Sequence, residues 1–250
     1  MVDRNSPTGS AVHEVLAAVL QVRSGQLQVL LWQRAIDPDA GAWALPGGRL
    51  GDVEDVQASV LRQLAEKVDL REVAHIEQLA TFSAPGRMPG PRTVATAFLG
   101  LVPSVADPVL PADTAWHPVG GVVGEHGVGE HGVGGPGGTA FDHGTIVRRA
   151  RDRLRAKLSY TNLGFALAPP EFTVSTLREL YAAALGHRVS ATNLQRVLAR
   201  RGVLVPTGGT AASGPSGGRP GALYRFAERG IRVTDPFAVF RPPDAELSDP

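Results

Sequence analysis

Trp43-Ala44-Leu45-Pro46-Gly47-Gly48-Arg49-Leu50-Gly51-Asp52-Val53-Glu54-Asp55-Val56-Gln57-Ala58-Ser59-Val60-Leu61-Arg62-Gln63-Leu64-Ala65-Glu66-Lys67-Val68-Asp69-Leu70 is the stretch on which the fold turns. A Pro-Gly-Gly turn is followed by Val56, Val60, Leu61, Leu64 and Val68, which recur at steps of three and four. That spacing predicts an amphipathic helix over residues 55 to 69 with this stripe buried. Gln63, Glu66 and Lys67, also three and four apart, then share the opposite face.

The stretch resembles a Nudix box. The box pattern of Gly, five residues, Glu, seven residues and Arg-Glu-apolar-x-Glu-Glu-x-Gly-apolar falls on Gly48, Glu54, Arg62, Gln63, Leu64, Glu66, Lys67, Asp69 and Leu70. In an active box positions 63, 66 and 67 are all Glu, and their carboxylates hold the hard divalent cations that bridge a diphosphate and activate water. Here Glu66 alone remains, Gln63 offers a neutral carbonyl, and Lys67 places an ammonium where a cation belongs. A like charge in a metal site works against binding by several kcal/mol at close range. The resemblance thus implies a box that keeps its fold and has lost its catalytic centre. The competing reading is an ordinary surface helix whose Arg62 and Glu66 pair at i, i+4.

With 250 residues, 43% of them apolar, the chain has material for one large or two smaller cores. It contains no Cys, which removes disulfides, thiolate metal sites and Cys nucleophiles and fits a reducing compartment. The first ten residues lack an apolar signal core, and no run approaches the roughly 18 apolar residues of a membrane span. A soluble cytoplasmic protein without membrane contacts is expected.

The net charge of +1 hides an uneven distribution. Residues 1 to 142 carry 9 basic against 16 acidic side chains, whereas residues 143 to 229 carry 14 against 4, a net +10. An acidic module joined to one that meets a polyanion follows, with nucleic acid preferred over lipid because no basic amphipathic anchor appears.

Along the chain, Val12 to Leu20, Leu27 to Arg34, Leu79 to Phe82 and Val94 to Val102 read as strands, with a Pro- and Gly-rich loop from Ala84 to Arg92. Residues 120 to 138 repeat Gly-Glu-His-Gly-Val and read as a flexible surface insertion, or as a loop whose two His hold a metal. A helix follows Ala140-Phe141-Asp142-His143 and ends near Tyr160. Its stripe is Ile146, Ala150, Leu154 and Leu158, and Arg148, Arg149, Arg151, Arg153, Arg155 and Lys157 crowd the rest. These form either a solvated face or a helix that contacts phosphate or joins domains.

From residue 172 onward, Thr173 caps a helix that Gly186 ends, and Ser190 caps a second that stops at Gly202. Val203 to Val205 and Leu223 to Phe226 then form a hairpin with a long loop from 206 to 221. Helix, turn, helix and hairpin is the order of a winged helix-turn-helix, although a plain interaction domain can share it. In the winged helix Thr192, Asn193, Gln195 and Arg196 reach base edges, while Arg200, Arg201 and Arg219 hold phosphates.

With the altered box, Ala140-Phe141-Asp142-His143 ahead of an Arg-rich helix, Phe172-Thr173, and Gly218-Arg219-Pro220 leading to Leu223-Tyr224-Arg225-Phe226, the chain resembles the NrtR family of Nudix-related transcriptional regulators of NAD metabolism. The likeness covers about residues 10 to 228. It implies an α+β protein: a Nudix-type α/β/α sandwich with a mixed sheet over 10–142, a basic connecting helix over 143–160, a winged helix-turn-helix over 161–229 and a tail over 230–250. It further implies a homodimer on palindromic operator DNA, repression of NAD biosynthesis or salvage genes, and ADP-ribose or a related nucleotide as effector. No cofactor is required, and Mg²⁺ binding is weak or absent. Pro85-Gly86-Arg87 looks like the family's ligand loop, though Met88 and Gly90 replace its usual acid and second Arg. Arg87, Arg49, Glu66 and Trp116 become ligand-binding candidates, with Trp116 either against the ligand or in the core. The alternative function is an active Nudix hydrolase of ADP-ribose or a similar nucleoside diphosphate derivative.

Overall fold

The protein, described by a computed structural model over residues 11–123, 138–211 and 221–235, divides into two compact units. The first comprises Met1–Val102 and Ala106–Arg153, and the second Pro103–Val105 and Leu154–Pro250. Among the described residues no helix is long and apolar enough to cross a membrane.

Unit 1 is built on a mixed sheet. Strand β1 (Val12–Arg23) lies at its centre, antiparallel to β2 (Gln26–Gln33) and parallel to β6 (Thr93–Leu101), whose far edge pairs with β5 (His75–Phe82). Residues 15 to 22 of β1 are buried without interruption, the mark of a central strand covered on both faces. Strands β1 and β5 outrun their sequence-based bounds, β2 and β6 begin and end one residue earlier, and three short strands were not expected: β3 (Trp43–Ala44), β4 (Gly47–Arg49) and β7 (Thr114–Pro118). Pairing creates them, β3 and β7 on β2 and β4 on β1. Gly47 is forced by this arrangement, because a Cβ there would lie 2.2 Å from the Val15 carbonyl oxygen.

Helix α1 (Val56–Val68) starts at Asp55, whose side chain accepts from Ala58 N, and ends where Asp69 turns left-handed. Val60, Leu64 and Val68 close over Val15, Ala17, Val19, Leu30 and Phe98. Leu61 departs from the expected stripe and is 40% exposed, since it lies one 100° step from Val60, on the flank of the helix. Residues 119 to 123, at the edge of the expected insertion, form a short helix α2 (Val119–Val123), and Thr139 bridges to Trp43. The Gly-Glu-His-Gly-Val repeats lie outside the described residues.

Helix α3 (His143–Tyr160) carries the division between the units, which falls after Arg153. Ile146, Ala150, Leu154 and Leu158 are buried as its periodicity requires. Its cations serve several ends: Arg153 donates to Glu77 and the Leu79 carbonyl, Arg155 to the Ala184 carbonyl, and Arg151 pairs with Asp152.

Unit 2 has the winged-helix order. Helix α4 (Val174–Leu185) is capped by Thr173 and closed by Gly186, and α5 (Ala191–Arg200) is capped by Ser190. Gly186 is needed at φ 77°, in the left-handed region. Strands β8 (Leu204–Thr210) and β9 (Ala222–Phe226) form the wing, and Phe172 adds two backbone bonds to Tyr224 at its edge. β8 runs to Thr210, well past the expected Val205, because Pro206 faces Tyr224 across the ladder and Thr210 faces Ala222. The tail also begins in ordered contact. Buried Asn162 donates to the Gly230 carbonyl at 2.8 Å and accepts from Arg232 N at 2.6 Å, and Thr234 N donates to the Tyr160 carbonyl.

Candidate functional site

In unit 1 the box residues answer one another. Arg62 grips Glu54 with two nitrogens at 2.9 and 2.6 Å and reaches Glu66 at 3.0 Å with the third. The Arg62 hydrogen bonds, helped by the Gly51 amide, hold the Glu54 carboxyl down at about 2. The two remaining box acids are therefore both bonded to an internal cation.

Gln63 and Lys67 do not share an open face with Glu66, as helical spacing alone predicts. Gln63 is 5% exposed beneath the Gly48 backbone, and Lys67 is half-buried, because β4 folds over this side of α1. The Lys67 ammonium donates to the Gly47 carbonyl and lies 4.6 Å from the Trp32 ring centre. With its amide turned to satisfy both ends, Gln63 donates to the same carbonyl at 3.3 Å and accepts from Arg62. Burial lowers the proton affinity of Lys67, opposed by Glu14. These groups do not fit a divalent ion: two donors point at the one carbonyl, and the carboxylates are taken by Arg62.

Arg87, read from the sequence as a fork for a diphosphate, has a side chain only 2% exposed. It is bidentate to Asp142 at 3.0 and 2.7 Å and donates to Glu14 at 3.1 Å. Within the protein its fork is engaged by these two carboxylates, and the nitrogen that reaches Glu14 also donates to Met88 Sδ at 3.8 Å. Beside it opens a cavity of about 390 Å³ lined by Asp39, Ala84 to Pro89, Phe141, Asp142 and Thr145. Phe141 holds φ 52° there, a left-handed conformation rare for an aromatic residue, and its ring lies 4.7 Å from the Arg34 guanidinium carbon. Next to it His143 is fully buried and accepts from Leu45 N at 3.0 Å. Burial, with Arg87 and Arg34 adding to it, pushes its imidazole down to about 3.

Arg49 is exposed on β4, opposite Glu14. Trp116 sits on β7 opposite Leu30, packed against the core cluster, and its indole N–H finds no acceptor among the described residues. It is partly buried, and the Arg23 guanidinium carbon lies 5.7 Å from its ring centre.

In unit 2, Thr192, Asn193, Arg196 and Arg200 are exposed along one face of α5. Leu194 and Leu198 bury the other. Arg196 donates to Asn193 at 2.8 Å, which pre-orders the pair. Gln195 turns aside and donates to the Tyr224 hydroxyl at 3.0 Å, tying α5 to β9. Arg201, expected on a phosphate, pairs with Asp235 at 2.6 Å and donates to the Ser159 carbonyl. Arg219 lies outside the described residues. Sequence reasoning passed over Arg188, just before α5, and Arg225 on β9, both exposed. The basic excess of this segment was the signal that contained them.

Two family models match the chain: the NUDIX domain over residues 12–127 and the NrtR DNA-binding winged helix domain over residues 164–226. The chain is similar to the ADPR responsive transcriptional repressor NtrR of Acinetobacter baylyi, 31% identical over 215 residues that cover 84% of this chain and 80% of the relative. It is also similar to Shewanella oneidensis NrtR, solved in complex with a 27mer DNA, at 29% identity and a TM-score of 0.68 over 85% of this chain and 92% of that one. A MutT/nudix family protein from Enterococcus faecalis shares the fold at 23% identity and a TM-score of 0.69, over 88% and 90% of the two chains.

Proposed function

Since this chain belongs to the NrtR family of transcriptional repressors, we propose that it binds operator DNA through its second unit and releases that DNA when ADP-ribose occupies its first. The observation that carries this reading is the contrast between the two units. The acids left in the box are held by Arg62, whereas α5 presents Thr192, Asn193, Arg196 and Arg200 bare on one face. Occupancy of unit 1, rather than turnover, is then the signal. We further read the protein as a cytoplasmic homodimer on a palindromic site, regulating genes of NAD biosynthesis or salvage. One winged helix covers too few base pairs to be selective alone, and twofold symmetry doubles the site.

The test is fluorescence anisotropy on the DNA upstream of the protein's own gene, with and without ADP-ribose. A 5- to 150-fold loss of affinity, about 1 to 3 kcal/mol of coupling, is expected, and operator must weaken ADP-ribose binding by the same factor. Equal dissociation constants with and without operator refute the effector role. In parallel, ADP-ribose turnover in millimolar Mg²⁺ should be negligible. Turnover at about one per second, ordinary for an enzyme, would instead support the hydrolase.

A further inference from the structure

Arg34 and Lys67 are two cations of unit 1 that, among the described residues, donate to no carboxylate, although Glu14 and Glu66 lie near enough to favour the charge on Lys67. Lys67 has three N–H donors, of which one meets the Gly47 carbonyl, and among the described residues no carboxylate accepts from it. Arg34 donates to the carbonyls of Pro38 and Ile36 and stacks on Phe141, again with no carboxylate partner among the described residues. A half-buried ammonium left without a counter-ion is costly unless something anionic joins it.

The two are neighbours. Lys67 is seated on the Trp32 ring, and Arg34 follows Trp32 by two residues, just past the end of β2, where Arg34 N bonds the Ala42 carbonyl at 3.0 Å. Residues two apart on a strand face the same side about 7 Å apart. The proximity also shows in the chemistry, because the Arg34 charge is among the causes that depress the proton affinity of Lys67. Arg34 in turn rests on Phe141, a wall of the 390 Å³ cavity.

The charge count points the same way. Relative to a box with Glu at positions 63 and 67, Gln63 removes one negative charge and Lys67 exchanges a negative for a positive, a change of three units. That offsets what bound divalent ions supply to an anionic ligand in an active box. Arg87, by contrast, is already neutralised by Glu14 and Asp142.

We propose that Lys67 and Arg34 form the diphosphate-binding pair of unit 1, with the Lys67 ammonium acting as a tethered cation, so that a nucleoside diphosphate ligand binds without a metal ion. This deepens the effector reading above and rests on it for the identity of the nucleotide, not for the anion site itself.

Isothermal titration of the full chain tests it with two probes, ADP-ribose and inorganic pyrophosphate, each in EDTA and in Mg²⁺. Wild-type dissociation constants should agree within about twofold between the two buffers. Lys67→Met and Arg34→Met should each weaken both probes by about 10-fold or more, the usual loss for a charge-assisted hydrogen bond. Arg71→Met, at an exposed cation paired with Asp69, serves as the control. Variants are compared only where melting temperatures match the wild type, and Arg34→Met alone decides if Lys67→Met unfolds. Tighter binding in Mg²⁺, or unchanged affinity in both variants, overturns the proposal. If ADP-ribose fails while pyrophosphate binds through Lys67 and Arg34, the anion site stands and the ADP-ribose reading falls. If ADP-ribose binds and neither substitution matters, the reverse holds. Failure of both probes defeats both.

Discussion

Replacing Arg87 by Met should be among the most damaging single changes in unit 1, and the structure sets its size. The guanidinium makes three charged hydrogen bonds, two to Asp142 and one to Glu14, with its own side chain 2% exposed and the carboxylates 24% and 19% exposed. Removing one partner of a buried ion pair costs about 3 to 5 kcal/mol, chiefly because the opposing charge stays behind unpaired. Since water reaches a fifth or so of each carboxylate, the lower end applies, about 3 kcal/mol. At about 2 to 4 °C per kcal/mol, the melting transition should fall by about 6 to 12 °C. Urea denaturation of the full chain, followed by tryptophan fluorescence, measures it directly, as all three Trp residues lie in unit 1. The sharper check adds Glu14→Gln and Asp142→Asn to Arg87→Met. If abandoned charge is the cause, the triple variant regains about half of the loss. A loss under about 1 kcal/mol for Arg87→Met, or a triple variant less stable than the single one, refutes the reasoning.

Three further outcomes follow from named contacts. Folding buries His143 as a neutral imidazole held near 3, against 6.5 for the unperturbed group, so the unfolded chain takes up a proton that the folded chain refuses. Stability should fall by about 1 kcal/mol per pH unit as pH drops from about 6.5 towards 4, and His143→Asn should flatten that slope in denaturant titrations at several pH values. Arg200→Ala should weaken DNA binding and shallow its salt dependence by about one phosphate, whereas Arg201→Ala should leave the salt slope alone and lower the melting temperature through loss of the Asp235 pair; anisotropy at several salt concentrations beside thermal melts separates them. Tyr224→Phe should free Gln195 and broaden base preference at one position, read by binding to a panel of operator variants, with stability changed by about 1 kcal/mol at most.

What the sequence disclosed was whatever rests on local chemistry. Thr173 and Ser190 each sit just ahead of an apolar period and Gly186 ends one, and in the fold the two hydroxyls cap and the glycine turns left-handed as their local chemistry favours. Strands β3, β4 and β7 were hidden because two to five residues carry no period, and they exist only through partners far along the chain. The partners of the site residues were hidden for the same reason. Spacing placed Lys67 beside Glu66, but not beneath β4, and it showed that Arg87 had a fork without showing that Glu14 and Asp142, 73 and 55 residues away, would fill it. Arg201 likewise meets a distant partner, Asp235, 34 residues on.

The lacing between Asn162 and Gly230 to Arg232 bears on where this protein can be cut. The winged helix domain model ends at residue 226, and a fragment trimmed there would keep both helices and the wing. It would also strip the buried Asn162 amide of its partners and leave Arg201 without Asp235 at the end of α5. The excisable piece is therefore longer than the matched domain, and a tag or fusion partner belongs beyond Asp235. In an evolving gene the same lacing makes the six residues after Arg229 an unforgiving place for insertions, although to the eye they read as a tail.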